Sequence, residues 1–191
     1  NLEVVFYSSE YNGRDPYLEV VYVPPYAVSV SISPSEQSGP PMENLSYTVT
    51  VRNIGNLDDN YILTASDNTG WGPTVSPTPL FVASGSTGEA TLTVTVPENA
   101  KFCTVDNITV TATSQSDNTV SDNAWCLAHA AMVRGVEISI SPSYQSDLPG
   151  ENLEYTVTVR NLGNVDDNYD FIAQDNESWG LGIASSIMVP A

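Results

Sequence analysis

Apolar and polar residues alternate with a period of two along most of this chain. Val28, Val30 and Ile32 interleave with Ser29, Ser31 and Ser33, and Leu45, Tyr47, Val49 and Val51 with Ser46, Thr48, Thr50 and Arg52. Further on, Leu92, Val94 and Val96 alternate with Thr91, Thr93 and Thr95, and Ile108, Val110 and Ala112 with Thr109, Thr111 and Thr113. Successive side chains of a strand point to opposite faces, so each set defines a strand with one apolar face. Shorter strands are predicted at 61–65, near Val75, at 80–82 and over 119–129. Turns or loops are predicted at 34–41, at 53–60 around Gly55, at 67–73 carrying Trp71, and at 114–118. No segment sustains the i, i+3, i+4, i+7 pattern of an amphipathic helix. About seven short strands in roughly 100 residues, with frequent turn signals, predict an all-β immunoglobulin-like sandwich. A jelly roll is the alternative, and this module is small for one.

The pattern repeats. Residues 45–61 (LSYTVTVRNIGNLDDNY) return as 153–169 (LEYTVTVRNLGNVDDNY), and the register holds without a gap from 28–72 to 136–180. About two-thirds of those positions are identical, which makes the chain an array of one module. Residues 26–134 read as a complete module and 135–191 as the N-terminal part of a second. The second lacks counterparts of 89–129. Either the chain is a fragment of a longer array, or a neighbouring chain supplies strands by exchange. Residues 1–25 read as the C-terminal hairpin of a preceding β domain, with strands at 2–7 and 17–23 and a turn at Asn12-Gly13. The linker 130–135 is short, so consecutive modules should hold a fixed relation.

Charge narrows the function. There are 23 acidic residues against 5 basic ones in 191, a formal net charge of −18. Such a surface repels nucleic acid and anionic lipid. No run approaches the length of a membrane span. No signal peptide is visible, and the chain is expected to be mature or part of something longer. Cys103 and Cys126 are the only cysteines. In an acidic all-β chain they favour a disulfide and an oxidising compartment, with two free thiols as the alternative. If they flank a hairpin turning near residue 115, they lie across from each other, and the closed loop contributes roughly 3 kcal/mol. The sequons at Asn44, Asn107 and Asn176 agree with secretion and glycosylation.

Two resemblances add to this. FYSSE (6–10) and PYLEVVY (16–22) resemble the C-terminal end of DNRLRE-type domains, which implies a secreted jelly roll, several of which are associated with carbohydrate binding. YTVTVRNIGNLDDNY, the following WG, VPENA (96–100) and the stretch 104–130 resemble bacterial and archaeal Ig-like modules related to the CARDB and NEW3-type domains. That resemblance implies stalks, filament units or spacers beside secreted hydrolases, in large and chiefly archaeal surface proteins.

The candidate chemistry is sparse. Asp58, Asp59 and Asp67 recur as Asp166, Asp167 and Asp175, accompanied by Asn60, Asn68, Asn168 and Asn176. Calcium takes six to eight oxygen ligands, which such loops could supply as a structural calcium site. The alternative is Asx-turn chemistry, in which each side chain bonds its own backbone. Gly55 and Asn56 fit a turn with positive φ. Trp71-Gly72 and Trp179-Gly180 are candidates for stacking on sugars, or for capping the core. Trp125, beside Cys126, would cover the disulfide. His129 stands alone, without the partners that zinc or a nucleophile requires. The expectation is a non-enzymatic extracellular protein whose partners are other surface modules, copies of itself or polysaccharide.

Overall fold

The structure is a computed structural model and describes residues 2–6 and 18–191. Asn12-Gly13 and half of the two segments compared with DNRLRE-type domains lie outside these residues. Two strands, β1 (Leu2–Phe6) and β2 (Leu18–Tyr22), pair antiparallel.

The first repeat folds as an immunoglobulin-like sandwich. Its strands are β3 (Val28–Ser33), β4 (Glu36–Gly39), β5 (Asn44–Asn53), β6 (Asp59–Asp67), β7 (Thr74–Ser76), β8 (Leu80–Val82), β9 (Thr87–Thr95), β10 (Val105–Ser114) and β11 (Ser121–Ala130). One sheet has the order β3-β5-β9-β7 and the other β4-β11-β10-β6-β8. The period-two pattern decides which face turns inward. Tyr47, Val49, Val51, Leu92, Val94, Ile108 and Val110 are buried between the sheets. Each such side chain stabilises the fold by about 1.5–3 kcal/mol. The interleaved serines and threonines face water, and β-branched threonine suits an exposed strand position.

Two features depart from the pattern-based reading. The stretch 34–41 is not all loop: β4 lies in it and pairs in parallel with β11, from Glu36 opposite Leu127 to Gly39 opposite Ala130. Glu-Gln-Ser-Gly has no apolar alternation, so main-chain pairing with β11, together with the Gln37 side-chain amide donating to Ser46 O, makes it a strand. The β10–β11 hairpin also turns later than expected. Asp117 organises the turn: its Oδ1 accepts from the Thr119 amide (3.1 Å) and hydroxyl (2.7 Å), and its carbonyl accepts from Val120 N–H (2.9 Å). The strands therefore pair with Ile108, not Cys103, opposite Cys126.

In the second repeat, β12 (Val136–Ser141) pairs with β13 (Thr156–Asn161), and β14 (Asp167–Asp170) with β15 (Ser186–Val189). The β12–β13 register reproduces that of β3–β5, since Val136 faces Asn161 as Val28 faces Asn53. Val136 is 53% exposed where Val28 is 9% exposed, because no strand among the described residues covers it.

Candidate functional site

The Asx carboxylates are engaged by amides, hydroxyls and one arginine, and those of Asp67 and Asp175 are engaged within their own turns. Asp58 Oδ1 accepts from Ser84 N–H (2.8 Å), and its counterpart Asp166 from Ala191 N–H (2.9 Å). Asp67 Oδ2 accepts from Gly72 N–H (3.0 Å), and Asp175 from the amides of Ser178 and Trp179. Asp59 is buried and accepts from the hydroxyls of Ser114 and Ser116. Asp167 instead meets Arg134 at 2.6 Å, and that bond holds its carboxyl below the usual range. Asp58 and Asp67 flank opposite ends of β6, and about eight strand residues at roughly 3.3 Å each keep them apart. Among the described residues, no group of three His, Cys, Asp or Glu side chains converges as cation ligands would.

The other predicted sites are scattered. Trp71 is half-buried against the core, whereas Trp179 is 77% and Trp125 60% exposed. The disulfide expectation is corrected. Cys103 and Cys126 are both free, Cys103 exposed and Cys126 buried. Cys103 lies in a turn before β10, and the strand from Val105 to Ile108, the residue facing Cys126, already spans about 10 Å. A disulfide needs its Cα atoms within about 7 Å. Trp125 accordingly covers no disulfide; it faces outward opposite Thr109. Burial, reinforced by Asp106, pushes the Cys126 thiol up to about 11, so it stays protonated and inert. The sequon residues Asn44, Asn107 and Asn176 are all exposed.

A buried carboxyl went unnoticed in the sequence. Asp106 is fully buried; its Oδ1 accepts from the Thr69 hydroxyl at 2.7 Å, and its Oδ2 has no partner. Burial raises its pKa, and the Thr69 bond opposes the shift. Its position at an inward phase of β10 is the signal that could have revealed it.

The most developed polar arrangement lies at the start of each repeat. Asn53 is buried, with its Nδ2 donating to Leu57 O (2.8 Å) and Val82 O (3.0 Å) and its Oδ1 accepting from Gly55 N–H (3.0 Å). Asn161 repeats this with Val165 O, Val189 O and Gly163 N–H. The turn so shaped lies against the incoming chain. Ile54 N–H and the Tyr61 hydroxyl both donate to Ala27 O, as Leu162 N–H and the Tyr169 hydroxyl do to Gly135 O. Neither Gly55 nor Asn56 has a positive φ. Gly55 is required by closeness: a Cβ there would stand 2.5 Å from Pro25 O, and one at Gly163 2.4 Å from Val133 O.

The family model described as "VWA7 Ig-like domain" matches residues 28–132. No curated protein sequence matches the chain. Among solved structures, a family 123 glycoside hydrolase from Clostridium perfringens is similar at 12% identity and TM-score 0.44, over 55% of this chain and 27% of that one. The chain thus spans little more than a quarter of that hydrolase. The PapD-like domain 7 of human CEP192 is similar at 13% identity and TM-score 0.42, over 58% and 89%. Domains 4 and 5 of the S-layer protein SbsC are similar at 15% identity and TM-score 0.38, over 62% and 60%.

Proposed function

The chain belongs to the VWA7 Ig-like domain family, and from that premise we propose that it is a structural or adhesive repeat region of a cell-surface protein, without enzymatic activity. The setting is extracellular and prokaryotic, in the manner of archaeal surface arrays, and the role is that of a stalk, adhesin or filament subunit. One observation carries the reading. The same Asn-x-Gly-Asn turn, buried Asn included, seats both repeats on the chain that precedes them. A module made to be strung in series needs such a joint, whereas an isolated binding domain does not. The acidic surface supports it as well, by keeping neighbouring arrays apart in solution.

Electron microscopy of the protein from its native source, with intact mass on the same sample, tests the reading. Rods or filaments with an axial spacing of one module are the expected outcome, and compact single particles would overturn it. A second reading, contact with polysaccharide, is favoured by the exposure of Trp179 beside Gly180. It predicts glycan-array binding that is lost in Trp71→Ala and Trp179→Ala, and the absence of binding to any polysaccharide would remove it.

A further inference from the structure

The joint between the repeats centres on Asn164. All of its polar groups are engaged, and all with main-chain partners. Its N–H donates to Val133 O (3.0 Å), and its carbonyl accepts from Phe102 N–H (2.9 Å). Its Nδ2 donates to Ala131 O (2.8 Å) and Ala100 O (3.2 Å), and its Oδ1 accepts from Val133 N–H (2.8 Å). Two segments of the first module therefore meet on one side chain: the loop before β10 and the exit from β11. The loop is itself fixed, because Ala100 is buried in the first core and its N–H donates to Pro97 O (3.0 Å). A short path of hydrogen bonds joins the core of one module to the first turn of the next.

The corresponding turn in the first repeat does the same with a different neighbour. Asn56 N–H donates to Pro24 O (3.1 Å) and its Nδ2 to Val23 O (3.4 Å). Val23 stands to Asn56 as Ala131 stands to Asn164. The two incoming segments, Val-Pro-Pro-Tyr-Ala at 23–27 and Ala-Met-Val-Arg-Gly at 131–135, share no residue in register. The turns that receive them keep Asn, Gly and Asn. What stays the same is the receiver and two of the carbonyls it takes, Val23 O or Ala131 O and Ala27 O or Gly135 O; the carbonyl that meets the second Asn N–H moves by one residue, from Pro24 to Val133.

We propose that the Asn-x-Gly-Asn turn is a docking surface for main chain: it takes the carbonyls of whatever extended strand end precedes it, indifferent to that strand's side chains, and holds the two units in one orientation. The partner is thus defined by its chemistry, an extended backbone leaving a sheet, and the same turn seats a repeat behind another repeat or behind an unrelated β domain. The two close glycines follow from this, since a turn that reads backbone must let backbone approach. The inference deepens the repeat-region reading and rests on it.

The test uses the whole chain and ¹⁵N relaxation, which reports how each module tumbles. In the unaltered protein the amides of 28–130 and 136–161 should share one rotational correlation time. A variant in which Ala131, Met132 and Val133 are all replaced by threonine, an exchange that changes the side chains and keeps every N–H and carbonyl, should keep that shared value. Asn164→Asp, which loses both side-chain donations and sets a carboxylate against two carbonyls, should give the second module a shorter correlation time of its own. The amide shifts of β3 to β11 should stay unchanged, which shows that the first fold survives. Independent tumbling in the unaltered protein, or uncoupling by the linker exchange alone, would overturn the proposal. If uncoupling occurred while micrographs still showed rods, the docking idea would fail and the stalk reading would stand.

Discussion

The side-chain amide of Asn53, on β5, donates to the carbonyl of Val82, on β8, and so ties one sheet of the sandwich to the other through a fully buried bond of 3.0 Å. The same carboxamide satisfies Leu57 O and Gly55 N–H. Asn53→Ala would leave three main-chain groups without partners. Each buried group left so costs about 1–3 kcal/mol. We expect a loss of roughly 3 kcal/mol or more, read as a lower midpoint in urea with an unchanged slope.

Tyr47 makes a second tie between the sheets. Its hydroxyl donates to Leu127 O at 2.7 Å from an otherwise apolar site, and burial pushes its pKa well above the ordinary tyrosine value. Tyr47→Phe keeps the ring and removes one bond, so a destabilisation of about 1 kcal/mol is expected. Thermal unfolding should show it as a drop of several degrees.

The thiols give a direct check on the hairpin register. An alkylating reagent should modify Cys103 alone in the folded protein and both cysteines after denaturation. Adding a reductant should leave the melting temperature where it was. A native protein with no reactive thiol and a mass two hydrogens short would restore the disulfide.

Asp106 should leave a trace in the pH dependence of stability. Burial raises its folded-state pKa above the ordinary value of 3.8, so the folded protein holds the proton more tightly than the unfolded chain does. Stability from this group is fully present below 3.8 and falls as pH rises through the folded value. Asp106→Asn keeps an acceptor for Thr69 and removes the titration. Denaturation midpoints collected between about pH 4 and 8 should then decline less steeply in the variant than in the parent.

Chelation should have no effect on melting. The Asx carboxylates accept from neighbouring amides and hydroxyls or, for Asp167, pair with Arg134, so the turns hold without an ion. A rise of several degrees on adding calcium, reversed by chelator, would show linkage to a bound cation and contradict this.

Much of the sandwich could be read from the sequence because period-two alternation is a property of single strands. Leu45 to Val51 announce their inward face without help from any partner. What depends on partners was hidden. β4 carries no apolar signal, since pairing with β11 makes it a strand. The hairpin register depends on which Asx residue seeds the turn, and Asp117 lies just past the centre that the cysteines suggested. The joint was half legible. The repeated Asn and Gly marked it, but positive φ was the wrong reason for the glycine. Its proximity to Pro25 O appears only once the incoming chain is in place. Asp106 was hidden because an aspartate at an inward phase looks, in one dimension, like any polar neighbour of a valine.

The parallel pairing of β4 with β11 has a mechanical consequence. In an array under tension, force would enter the first module at Ala27, pass into β3 and β4, and leave from the end of β11 at Ala130. Parallel strands pulled from opposite ends slide past each other instead of unzipping. The rungs between Glu36–Gly39 and Leu127–Ala130, with the flanking bonds from Leu127 N–H to Ser35 O and from Ala131 N–H to Gly39 O, would then bear load together. A four-residue strand with no apolar side chain thus becomes a shear clasp, closing the first module against stretching along the axis on which the modules are strung.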